Sequence, residues 1–200
     1  LEDFDHCDAI FSFGHNPGTN HPRMLATLRA ASLRGAPIVV FNPLKERSLE
    51  RFKSPQHALE MVGKAVPIAS HYYQVKVGGD AAVVKGMMKA LLAMEEARGG
   101  VLDRAFIDEH TEGFDQLVAD IEACPWDEIE HIAGLSRADI EAAAEVYAKA
   151  ERVILCYGMG ITQHRHGTCN VHQLANLLLM RGNIGKEGAG ICPVRGHSNV

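Results

Sequence analysis

The sequence predicts an α/β fold: a doubly wound, mainly parallel sheet with helices on both faces, three layers in αβα order. Three observations carry that expectation. Short apolar runs of strand length recur at residues 8–13, 38–41 and 152–157, helix-period segments lie between them, and each run opens into a loop rich in Gly, Asn, Thr or Asp. Strands that alternate with helices place the chain in the α/β class.

Taken in order, residues 8–13 (DAIFSF) read as a buried strand that stops at Gly14 and the polar loop HNPGTNHP. Met24, Leu25, Leu28, Ala31 and Leu33 recur mostly at helix spacing, so residues 23–34 form a helix that ends before Gly35-Ala-Pro37. Residues 38–41 (IVVF) return as a second strand, parallel to the first by the crossover rule. Residues 45–53 are charged and predict a loop or short surface helix. Residues 71–77 alternate in the manner of a strand, and residues 81–98 form a long helix with Asp80 as its expected N-cap. Residues 101–150 are mostly helical, with breaks at His110-Thr111, Cys124-Pro125 and Gly134 and a capping box at SRAD, residues 136–139. Residues 152–157 are the third convincing strand, residues 171–181 an amphipathic helix, and residues 182–196 a glycine-rich loop without clear period.

Composition narrows the function classes. A chain of 200 residues buries roughly 70% of its unfolded surface, and one domain over residues 1–200 is expected. Apolar residues at 46% and charged residues at 22% exclude disordered and fibrous classes. The net charge of -5 and the pI near 6.1 offer no basic stripe, which excludes nucleic acid as the main partner. No run of 18 apolar residues is present, so no membrane-spanning helix is expected. Five cysteines without a CxxC pair point to a reduced, cytoplasmic environment. The chain opens at Leu1 with no signal-peptide pattern, as a piece of something longer would.

Chemistry is expected at the carboxyl ends of the strands, where open parallel sheets bind ligands and loop N–H groups face anions. Residues 14–21, 78–80 and 158–163 are the candidate walls of one nucleotide-sized site, although turn composition alone also accounts for their Gly and Asn. GMGITQ at residues 158–163 follows a strand as the Rossmann-like dinucleotide fingerprint requires, but Gln163 replaces the third glycine. Pyrophosphate contact through Gly158, Gly160 and the Thr162 hydroxyl survives that departure. His164, His166, Cys169 and His172 spell HxHxxCxxH, a zinc-type alternative to a polar loop around a buried cysteine. Arg195, beside Gly196 at the end of the glycine-rich run, is either a surface arginine or a fixed cation suited to a bidentate carboxylate or phosphate.

The ordered set GHNPGTNHP (14–22), GGD (78–80), FIDEHTEGF (106–114), YGMGITQ (157–163), RGNIGK (181–186) and GAGICPVRG (188–196) resembles the molybdopterin oxidoreductase alpha subunits, closest to the formate dehydrogenase-like branch. The resemblance spans nearly the whole chain. It implies the domain that holds one of two molybdopterin guanine dinucleotides on molybdenum or tungsten. Gly14, Asn16, Thr19, Asn20 and His21 would then line the pterin and pyrophosphate, Asn42 the ribose and Asp80 the guanine, with Gly78, Gly158, Gly160, Thr162 and Gln163 against the cofactor. Arg195 would be the active-site arginine facing formate or another small anion. The same resemblance implies a 4Fe-4S cluster and the metal ligand outside this stretch, further domains of a parent chain, and an electron-transfer partner. Asn42-Pro43-Leu44 departs from the family's frequent Asp-Pro-Arg, Gly79 from its frequent Thr, and His197 from its Gln. The rival of another class is a non-redox nucleotide module, such as the middle domain of a thiamine diphosphate enzyme.

Overall fold

The computed structural model describes residues 2–56 and 63–194. After a 3-10 turn (Glu2–Asp5), strand β1 (Ala9–Phe13) leads through the one-turn helix α1 (Pro17–Asn20) and α2 (Met24–Arg34) to β2 (Ile38–Phe41). Then come α3 (Arg47–Glu50), a two-stranded antiparallel ribbon of β3 (Arg51–Phe52) and β4 (Val66–Pro67), and β5 (His71–Tyr73). Five helices follow: α4 (Asp80–Arg98), α5 (Arg104–His110), α6 (Phe114–Ala123), α7 (Trp126–Ala133) and α8 (Arg137–Lys149). Strand β6 (Val153–Tyr157), the short α9 (Met159–Thr162), α10 (Gly167–Leu179) and β7 (Gly190–Pro193) complete the described chain.

The main sheet has the order β5-β2-β1-β6-β7, and every neighbouring pair is parallel. Its pleat sorts side chains into two cores. Ala9, Phe11 and Phe13 of β1, Val39 and Phe41 of β2, and Val153, Leu155 and Tyr157 of β6 face the larger core with the helices of residues 80–150 and α10. Ile10, Ile38, Val40, Ile154 and Cys156 face the smaller one with α2. Central strands apolar at nearly every position, Ser12 of β1 being the exception, are what a sheet covered on both faces demands. Aromatic rings tie the larger face together, Phe13 stacking on Phe41 at 4.5 Å and Phe41 on Tyr73 at 5.2 Å between centroids.

Buried polar groups fix how α8 and α10 dock on β6. Asn183 accepts from the Val153 N–H at 3.1 Å and donates to the Tyr147 hydroxyl at 3.3 Å, and that hydroxyl donates to the Leu177 carbonyl at 2.8 Å. Arg181 donates to the carbonyls of Val101 and Ala150, closing the same corner. Networks of this kind specify one packing because any other leaves more buried groups unpaired; here only Arg181 Nε among these groups lacks a partner.

Four expectations change. Asp80 is the first residue of α4, not its cap: Gly79 takes that place, and the Asp80 side chain is buried where it makes no capping bond. The strand read at residues 71–77 ends at Tyr73, because the Lys76 N–H turns to the Ala133 carbonyl at 2.9 Å and ties this stretch to the end of α7. The helix read at residues 171–181 begins at Gly167, since no Cβ there collides with the Thr162 carbonyl and the turn can tighten. Finally, the run at 182–196 contains β7, paired with β6 from Ile154↔Gly190 to Tyr157↔Pro193. The caps and breaks within 101–150 are as expected, with the Ser136 hydroxyl accepting from the Asp139 N–H at 3.2 Å.

Candidate functional site

The strand order reverses between β1 and β6: from β1 the chain passes to β2 on one side, while β6 lies on the other. Ligands of open α/β sheets bind at that point, outside the carboxyl ends. Here the loops after β1 and β6 touch backbone to backbone. The Gly160 N–H donates to the Gly14 carbonyl at 3.2 Å, and the Gly158 N–H to the Phe13 carbonyl at 3.1 Å. A Cβ on Gly160 would stand 2.7 Å from the Gly14 carbonyl oxygen and one on Gly158 2.6 Å from it, and Gly14 itself has φ of 54°. These glycines therefore fit two loops to each other, the close-approach role of a glycine fingerprint.

Between the loops lies a cavity of about 250 Å³ walled by Gly14, His15, Asn16, Asn20, His21, Asn42, Gly158 and Gly160, with Glu46, Met159 and Val194 at its margins. The Asn16 carboxamide oxygen accepts from the Thr19 N–H at 3.2 Å and caps α1, which folds His21 back so that its Nδ1 lies 3.3 Å from Nε2 of His15. His15 is 3% exposed, and its Nδ1 has no hydrogen-bond partner. Burial, with a smaller contribution from the neighbouring His21, lowers its pKa to about 4, so the imidazole is neutral near pH 7. Asn42 spends its side-chain N–H on the Leu44 carbonyl at 3.1 Å, which shapes the loop after β2. No Lys or Arg lines this cavity among the described residues. Arg195, the expected cation, lies outside them, as does His197.

The loop before α4 is built differently. Gly78 lines a second, larger cavity of about 480 Å³ between α4, α7 and α10, together with Lys85, Glu128, His164 and Gln173. Gly79 allows the loop to dock: a Cβ there would stand 2.6 Å from the Ile132 carbonyl oxygen, so a threonine does not fit this arrangement. Asp80, 5% exposed, has an Oδ1 without a partner, and burial raises its pKa to about 6. His164 joins the two regions, its Nε2 donating to the Gly160 carbonyl at 2.6 Å.

The structure thus brings Gly14, Asn16, Asn20, His21, Asn42, Gly158 and Gly160 to one cavity, and Gly78 to the neighbouring one. Thr19, Thr162, Gln163 and Asp80 line neither, the Gln163 side chain reaching Met159 Sδ at 3.7 Å. His15 was not singled out from the sequence; a histidine inside HNPGTNH looks like an ordinary turn residue until the return of α1 buries it. The zinc alternative finds no support, since no group of three or more His, Cys, Asp or Glu able to hold a metal forms among the described residues.

The site fits a phosphate-bridged cofactor. It offers a loop cradle at the switch point and, in that cavity's wall, the buried Nδ1 of His15, which still needs a partner; Gln173 Oε1 in the lining of the larger cavity and Asp80 Oδ1, outside both, need one too. Protein YdeP of Escherichia coli strain K12 is 57% identical over all of this chain, which spans 27% of that relative's length. An uncharacterized oxidoreductase of Mycobacterium tuberculosis strain H37Rv is 44% identical, and formate dehydrogenase H of Escherichia coli strain K12 is 32% identical, each again over the whole chain. The chain spans 26% of the first and 25% of the second. Acetylene hydratase from Pelobacter acetylenicus has the same fold, with a TM-score of 0.76 at 19% identity over 93% of this chain and 23% of its own. The family sequence model described as molybdopterin oxidoreductase matches residues 1–199, so the chain belongs to the molybdopterin oxidoreductase family and takes a molybdopterin-type cofactor with molybdenum or tungsten.

Proposed function

We propose that this chain is the part of a longer, formate dehydrogenase-like oxidoreductase that grips one of two molybdopterin guanine dinucleotides. The observation that carries the reading is the convergence of the β1 and β6 loops on one cavity at the switch point, with the unpartnered Nδ1 of His15 in its wall. At about 250 Å³ the cavity is below the roughly 300–1,000 Å³ of a complete small-molecule site. It suits the diphosphate section, and the remaining walls come from elsewhere in the longer protein.

When bound, the metal centre supplies the two-electron exchange with substrate, in a protein whose 4Fe-4S cluster and metal ligand lie outside this stretch. The chain's own residues bind and orient. Asn16, Asn20 and His21, with N–H groups of the β1 and β6 loops other than those of Gly14, Gly158 and Gly160, which are spent on protein carbonyls, hold the pterin and diphosphate, and Thr19, Thr162 and Gln163 of the same loops reach the ligand only from outside the cavity wall. Neutral His15 offers its unpartnered Nδ1 to the same ligand. Asn42 closes the ribose end, and the Asp80 carboxylate accepts from guanine N–H groups. Arg195, which follows Val194 in the sequence, is the cation assigned here to a small anionic substrate such as formate. The setting is cytoplasmic, with an electron-transfer partner; no helix among the described residues is long and apolar enough to cross a membrane.

Analysis of the full-length protein tests this. The expected result is molybdenum or tungsten with two equivalents of GMP released by acid hydrolysis per metal. Metal with pterin but without GMP would overturn the dinucleotide assignment. Arg195→Ala should lower turnover sharply with metal content intact, and undiminished turnover would remove that role.

A further inference from the structure

Cys156 of β6 and Cys192 of β7 stand directly opposite each other in a parallel pair. Both belong to the smaller core, Cys156 fully buried and Cys192 half-buried, so their side chains share one face of the sheet. Neighbouring strands lie about 4.8 Å apart, inside the roughly 4.4–6.8 Å between Cα atoms that a disulfide spans. Strand β7 has four residues and lies at the edge of the sheet, so the sulfurs can close by a shift of one short strand without disturbing the core around β1.

The pair is also chemically unequal. The Cys156 thiol, facing Cys192 as a donor, holds the Cys192 thiol below the ordinary thiol range despite its burial, which favours its thiolate. The same pairing, and then burial, push the Cys156 thiol up. Cys192 is thus the sulfur that solvent reaches, and Cys156 the one that only Cys192 reaches. Cys7 belongs to the same core but is engaged elsewhere, its thiol donating to the Phe4 carbonyl at 3.4 Å and accepting from Arg34 at 3.8 Å.

We propose that Cys156 and Cys192 form a modification site, a thiol pair that a hydroperoxide converts into a reversible disulfide between β6 and β7. The Cys192 thiolate attacks one peroxide oxygen, the O–O bond breaks, and the departing hydroxide takes a proton to leave as water. The Cys156 sulfur then attacks the resulting sulfenic sulfur, the S–O bond breaks, and the Cys156 proton leaves with the hydroxyl as a second water. Two thiols and one hydrogen peroxide give one disulfide and two waters. The link would fix the strand that leads to Val194 on the cavity wall.

Treating the full-length native protein with a few equivalents of hydrogen peroxide tests the proposal by peptide mapping without reductant. The expected product is a peptide pair joining Cys156 to Cys192, lighter by two hydrogens and restored by dithiothreitol. Cys156→Ala should leave a sulfenic acid at Cys192 that dimedone traps, and Cys192→Ala should slow loss of the Cys156 thiol by roughly tenfold or more. Should Cys156→Ala fail to fold, wild-type mapping and the Cys192 variant decide. Sulfinic acid at Cys192 without a cross-link, a link to Cys7, or undiminished oxidation of Cys156 in the Cys192 variant would each overturn it.

Discussion

The two cavities at the carboxyl end of the sheet are made by different means. The smaller is walled chiefly by loops that leave adjacent strands, so strand register and three glycines set its shape. The larger is assembled from segments near residues 78–85, 124–132 and 164–173, and depends on how whole helices dock. Each region holds one buried ionisable group with an unpartnered atom, a histidine kept neutral in the first and a carboxyl with a raised pKa in the second. Under the proposed function the two regions divide the labour: a rigid loop seat for the phosphate bridge, and near the larger cavity a buried carboxyl whose charge depends on what it meets.

The largest effect that separates the regions should come from Gly160→Val. Its Cβ overlaps backbone atoms of Gly14, which cannot rotate away, so a loss of roughly 3 kcal/mol is expected in urea unfolding, together with loss of cofactor from the full-length protein. Gly78→Ala, with nothing within 4 Å of the added Cβ but a φ of 83°, should cost only about 1 kcal/mol.

The pH responses should have opposite signs. For His15 the folded pKa of about 4 lies below the ordinary 6.5, so the unfolded chain takes up the proton first. Stability is then lost as pH falls from 6.5 towards 4, by at most about 3 kcal/mol. His15→Asn should remove that share of the acid sensitivity, seen as a flatter urea midpoint against pH in the cofactor-free protein. For Asp80 the folded pKa of about 6 lies above 3.8, so ionisation penalises the fold above pH 6 and the penalty fades towards pH 3.8. Asp80→Asn should therefore stabilise by about 2 kcal/mol at pH 8 and by little at pH 4, the asparagine retaining part of the desolvation cost.

The smallest effect belongs to a site away from both cavities. Ser136→Ala removes the cap of α8 and should cost about 1 kcal/mol at every pH, with cofactor content unchanged.

Sequence legibility follows the same division. β1, β2 and β6 were readable because strands buried on both faces have no polar alternation to blur them, and the loops after β1 and β6 carry their own glycine and asparagine signals. β7 escaped because its four residues follow Gly188 and end on the Pro193 that opens PVRG, where composition reads as loop and only pairing with β6 makes a strand. The ribbon of β3 and β4, two residues in each strand, leaves no period to detect. The larger cavity was invisible for a related reason: nothing local tells Gly78 that α7 and α10 will stand beside it. Asp80 was legible as a residue at a helix start, but its burial and missing partner come from tertiary packing.

The central claim is that the seat between the β1 and β6 loops holds the diphosphate of the cofactor. An experimental structure of the cofactor-loaded, full-length protein tests it most directly. The account predicts phosphate oxygens within hydrogen-bond distance of backbone N–H groups in residues 14–20 and 158–163, with guanine towards Asp80. A diphosphate bound at any other edge of this sheet, with that seat filled only by water, would contradict it.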